Sequence, residues 1–159
     1  MSTDLHSETH ITEKDVFEQL EKLERTVYVP IVSGEVTQWL DAVVKAIKSV
    51  DETACGYFRA VHPELYEQIT EQDPEQNSRV QALEREDDEI CASLQALVDF
   101  AEKLKGVGKC VEPDERRLAN VNKELSDRAV GLVQRIRKHE TEISTWHVEA
   151  MMRDRGPVD

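Results

Sequence analysis

Two residues interrupt otherwise apolar helical seams, and both are of types that bind metal or exchange protons. Between Arg79 and Leu104, the residues Val80, Leu83, Asp87, Ile90, Leu94, Leu97, Ala101 and Leu104 recur at alternating steps of three and four, which places them on one stripe of an α-helix. Asp87 stands where a core residue belongs. A second run, Leu118, Val121, Leu125, Ala129, Leu132, Ile136, His139, Ile143, Trp146 and Ala150, keeps the same rhythm and is broken once, by His139. Carboxylate and imidazole are both ligand types for first-row metals. Facing each other without a metal, the two form a charge-assisted hydrogen bond instead, because either one alone in an apolar core is costly.

The remaining reactive side chains carry less. His6 and His10 lie in or just after a polar N-terminal stretch and read as solvent-exposed, and His147, at the margin of its stripe, reads as a satisfied interfacial histidine. Cys55, Cys91 and Cys110 are odd in number, without close pairing or a CxxC spacing; that suits free thiols in a reducing compartment. No glycine-rich phosphate loop is present, and no Ser or Cys has a credible base near it in sequence. With no constellation of acid, base and nucleophile, the chain is read as a binding protein and not as an enzyme.

The elements that must position Asp87 and His139 are helical. Six glycines and five prolines in 159 residues leave long stretches free of both. The spacing predicts a flexible tail over residues 1–12 and a helix over Glu13–Tyr28 with Phe17, Leu20, Leu23 or Glu24, and Val27 turned inward. Pro30 and Gly34 then interrupt it, as a loop or a kink. From Glu35 a stripe of Leu40, Val43, Ile47, Val50, Ala54, Tyr57, Val61 and Leu65 predicts helix to about Gln72, with Pro63 as a kink; Ser49 to Glu52 has capping-box spacing and offers an alternative restart. Asp73-Pro74 is a stop and restart, Lys105 to Gly108 closes the third helix, Cys110 to Glu112 is loop, and Pro113 opens a last helix to about Arg153. Trp39, Phe58, Phe100 and Trp146 read as core or dimer contacts. The expected fold is all-α: an antiparallel four-helix bundle over residues 13–154.

The net charge of −13 excludes nucleic acid and anionic lipid as natural partners, since such a surface repels both. The small basic group Arg135, Arg137 and Lys138 reads as a solvated helix face. No apolar run spans a bilayer and the first ten residues lack a signal-peptide core, so the expected location is cytoplasmic. The partners expected are an unidentified protein or, in a homodimer, a second copy of the chain.

The stretch from Tyr57 to Glu75 (YFRAVHPELYEQITEQDPE), followed by Arg79 to Ile90 (RVQALEREDDEI), resembles the middle of a hemerythrin-like (HHE cation-binding) domain. Leu132 to Met152 resembles that family's closing helix. The resemblance implies a hemerythrin-like four-helix bundle, and in the family a di-iron centre held by about five histidines and two carboxylates. It places the second-helix His and Glu on Tyr57 and Val61, the third-helix His on Asp87, the fourth-helix His on His139 and its following carboxylate on Ile143. Glu140 and Glu142 lie about a hundred degrees off the stripe. On the first helix Val27 or His10 would have to serve. The resemblance thus implies a degenerate metal site, with no cofactor bound, in which Asp87 and His139 pair with the Tyr57 hydroxyl as third partner. The expected function is a non-catalytic binding or regulatory module. The alternative is an iron protein that binds or senses oxygen through an altered set of Asp87, His139 and Tyr57, helped by water or Cys91.

Overall fold

The computed structural model of the chain describes residues 10–32, 34–108 and 115–153. Among them are four α-helices, α1 (Glu13–Tyr28), α2 (Val36–Gln72), α3 (Asn77–Gly108) and α4 (Glu115–Arg153), with a short 3-10 turn at Pro74–Gln76 and no strand. The all-α four-helix architecture is the one the periodicity predicts. Residues 1–9 of the expected tail, the loop at Cys110 to Glu112 and the helix-opening Pro113 lie outside the described residues.

Local chemistry accounts for the boundaries. Thr12 caps α1: its hydroxyl accepts from the Asp15 amide at 3.2 Å while the Asp15 carboxylate accepts from the Thr12 amide at 2.8 Å. Two donors that the helix start would orphan are satisfied in this way. Pro30 keeps the chain extended after Tyr28, and Gly34 turns it with a φ of 90°, a left-handed conformation that a side chain would resist. The interruption is therefore a loop. α2 runs unbroken through Ser49, whose hydroxyl donates to the Lys45 carbonyl at 3.0 Å and so behaves as a helix-interior serine; the alternative restart there is not taken. Pro63 sits inside α2.

Pairs of contacting residues fix the directions. Between α2 and α3, Asp41 meets Lys105, Lys48 meets Glu102, and His62 meets Asp87, so one number falls as the other rises and the helices are antiparallel. Between α2 and α4, His62 meets Glu140, Gln68 meets His147 and Asp73 meets Arg153, so these two run parallel. α2 and α4 touch each other and both flanking helices, whereas α1 and α3 do not approach one another among the described residues.

The larger apolar core includes Leu20, Leu23, Ile47, Ile90, Leu94, Leu125 and Ile136, all essentially inaccessible. Burying a side chain of this size contributes roughly 1.5–3 kcal/mol. A smaller core of Tyr66, Ile69, Val80, Leu83, Ile143 and Ala150 fills the end near the 3-10 turn. The polar centre lies between the two. Arg135, Arg137 and Lys138 are not a bare solvated face: Arg135 pairs with Glu86 and Glu89, Arg137 with Glu24 and Lys138 with Glu142. No described helix is long and apolar enough to cross a membrane.

Candidate metal centre

Three helices deliver polar side chains to one point in the bundle. From α3, Asp87 Oδ1 lies 2.8 Å from His62 Nδ1 on α2 and 2.5 Å from His139 Nε2 on α4. Tyr66, one turn beyond His62, donates its hydroxyl to the same oxygen at 3.0 Å. His62, His139 and Tyr66 are buried and Asp87 is half-buried. Ligand atoms of His62, Asp87 and His139 lie within 4.8 Å of one another.

The outward-facing nitrogens of both imidazoles meet further carboxylates. His62 Nε2 is 2.7 Å from Glu140 Oε1, whose side chain is buried beside it on α4. His139 Nδ1 is 3.5 Å from Glu86, too far for a formed hydrogen bond, and it is buried without a hydrogen-bond partner. Glu86 is itself held by Arg135 at 3.3 Å.

His62 bonds a carboxylate through each nitrogen, so it donates from both and is an imidazolium in this arrangement. Burial alone would lower its pKa, but the hydrogen bonds it donates to Asp87 and Glu140 prevail and hold it at about 9. Burial pushes the Asp87 carboxyl up, and the His139 and His62 hydrogen bonds outweigh that and leave its pKa below the usual value. The Tyr66 phenol is pushed up by burial and by the Asp87 charge, so it stays a neutral donor. At the α1 end, Glu13 is raised by burial and by Glu140.

Asp87 and His139 stand where the broken stripes put them, facing one another. Tyr57 does not: it is buried, but its ring packs edge-on against His62 at 5.3 Å, and the hydroxyl on Asp87 is that of Tyr66. The inward residue of the second helix at the site is His62, not Val61. α2 has 37 residues, and an α-helix drifts about 20° per heptad against a 3.5-residue repeat. The buried face of α2 follows Leu40, Val43, Ile47, Val50 and Ala54, and has moved on to Phe58, His62, Tyr66 and Ile69 by its second half. Glu140, expected off the stripe, is buried because α4 touches all three other helices and so buries a face wider than one stripe. His10, ahead of α1, is exposed, and Val27 on α1 is an apolar core residue; neither is among the residues that converge at the centre.

The thiols also depart from expectation. Cys55 on α2 and Cys91 on α3 are joined in a disulfide with their Cα atoms 5.9 Å apart, a pairing between helices that sequence spacing does not reveal. His147, by contrast, is satisfied between helices by Gln68 at 2.7 Å, as its position predicts.

A di-iron centre of the hemerythrin kind does not fit these residues, since only His62 and His139 converge among the described histidines. A single ion does fit. One carboxylate oxygen here faces three donors although it has two lone pairs, so an ion displacing the imidazole protons would relieve that crowding. Glu140 behind His62 is placed to orient that ring, the usual support of metal-bound histidine. Comparison of the chain with protein-family models, with curated proteins and with solved structures gives no match. The resemblance to hemerythrin-like domains therefore rests on the residue pattern alone.

Proposed function

We propose that the protein is a non-catalytic, cytoplasmic helical bundle of hemerythrin-like type that holds one divalent transition-metal ion through His62, Asp87 and His139 and works as a metal-dependent binding or regulatory module. The observation that supports it is the convergence of two imidazoles and one carboxylate within 4.8 Å, from three different helices. Two histidines and a carboxylate suit Fe2+ and Zn2+, and bind them best with both rings deprotonated at the coordinating nitrogen. Bound Fe2+ would supply redox and oxygen-binding chemistry; the chain's own part is to orient the His62 ring through Glu140. The surface charge of −13 favours a protein partner, or a second copy of the chain, over nucleic acid or anionic lipid.

A second reading has its own support: every facing pair from Glu140 through His62 and Asp87 to His139 already stands at hydrogen-bond distance. Such a chain can serve as a buried polar network that fixes the register of α2, α3 and α4, a degenerate site turned to packing. Elemental analysis after expression in iron- and zinc-supplemented medium separates the two. Stoichiometric metal that is lost in both His139→Ala and His62→Ala supports the metal module. Folded protein that stays metal-free and shows no thermal shift with Fe2+ or Zn2+ leaves the packing network.

A further inference from the structure

We propose that Cys55 and Cys91 form a reversible thiol–disulfide modification site that sets the affinity of the core for its ion; the inference rests on the metal reading above. Cys55 precedes His62 by about two turns of α2, and Cys91 follows Asp87 by one turn of α3. The bridge therefore clamps the two helices on one side of the His62–Asp87 contact. Their Cα separation of 5.9 Å suits a disulfide without backbone movement. Pro63, next to His62, removes one backbone hydrogen bond from that turn of α2, so a cross-link nearby adds restraint where the helix has one bond fewer.

Access is asymmetric. Cys55 is buried, whereas Cys91 is half-buried and borders a cavity of about 420 Å³ that Arg59, Tyr66 and Asp87 also line. A low-molecular-weight disulfide entering there meets Cys91 first, and does so beside a metal ligand. The Cys91 thiolate attacks one sulfur of that disulfide and expels one thiolate, leaving a mixed disulfide on Cys91. The Cys55 thiol, its sulfur 3.4 Å from the Asp51 carboxylate, then loses its proton and attacks Cys91 Sγ, expelling the second thiolate. Two protein thiols and one small disulfide become one protein disulfide and two small thiols; an added dithiol runs the exchange backwards.

The test is Zn2+ titration of the full chain, chosen because Zn2+ is not itself redox-active, after oxidation with a small disulfide and after reduction and desalting. Peptide mapping by mass spectrometry identifies the bridge in each sample. We expect Zn2+ to bind about tenfold more tightly to the oxidised form, a modest part of what a cross-link can contribute. Cys91→Ala is expected to bind as the reduced form does under both treatments, and Cys110→Ser to keep the difference. Equal affinity in the two states, or a bridge that maps to Cys110, overturns this inference alone. Absence of Zn2+ binding in both states overturns this inference, and joined to the absence of a thermal shift with Fe2+ it overturns the metal reading as well.

Discussion

His62 Nε2 and Glu140 Oε1 lie 2.7 Å apart in the bundle interior, with both side chains essentially inaccessible to solvent. The contact joins the parallel pair α2 and α4 and turns the opposite nitrogen of His62 toward Asp87. Glu140→Gln keeps the shape and an acceptor oxygen but removes the charge. On the metal reading, Zn2+ affinity falls by about 10- to 100-fold, the usual effect of losing such a supporting carboxylate. Calorimetric titration reads this directly, and an unchanged affinity would show that Glu140 supports no ion.

Asp87 is the single carboxylate between two imidazoles, so Asp87→Asn should be the most damaging conservative change at the centre. It leaves His62 with one charged partner and His139 with none at hydrogen-bond distance. Breaking a buried ion pair from one side costs about 3–5 kcal/mol. Urea unfolding of metal-free protein should show a loss near the lower figure, since Asp87 is only partly buried. A loss under about 1 kcal/mol, the range of exposed pairs, contradicts the network described here.

The two tyrosines should separate cleanly. Tyr66→Phe removes the hydroxyl that donates to Asp87 at 3.0 Å and should weaken both Zn2+ binding and folding, with a stability loss of about 1–2 kcal/mol. Tyr57→Phe should leave Zn2+ affinity unaltered, because Tyr57 meets His62 through its ring. The reverse result would make Tyr57 the ligand and Tyr66 the spectator.

Metal-free protein should lose stability on the alkaline side. The pKa of His62 rises from 6.5 to about 9 on folding, so its contribution is complete below pH 6.5 and is lost as pH climbs through 9. Asp87 is shifted the other way: its contribution holds above its unfolded value of 3.8 and is lost as pH falls below it. Denaturant midpoints measured in chelator should therefore decline between pH 6.5 and 9, and the decline should shrink in His62→Gln. A flat profile over that window would mean that His62 is not charged in the fold.

Asp87 and His139 were legible in sequence because each is a polar intruder in a long apolar stripe. The span of α1 was legible because its apolar period starts after a polar stretch and Pro30 ends it, whereas the Thr12 cap shows only in the structure. His62 was hidden by length: a stripe projected from Leu40 at heptad rhythm reaches Val61, while the real helix has drifted to the next residue. Carrying the 3.6-residue period across the whole of α2 would have found it. Glu140 was hidden because a helix touching three neighbours buries more than one seam, and the number of neighbours is a tertiary fact. The Cys55–Cys91 pairing is tertiary in the same sense, since it depends on how α2 and α3 register.

The three side chains of the candidate centre come from α2, α3 and α4, and α1 contributes none of them. Chain order then sets a timetable. During synthesis the α2–α3 hairpin can form first, bringing His62 to Asp87, but His139 and Glu140 arrive only with the latter half of α4. An ion held by this set would be loaded onto a finished bundle and not onto a nascent one. Occupancy would thus mark molecules in which the last helix has docked.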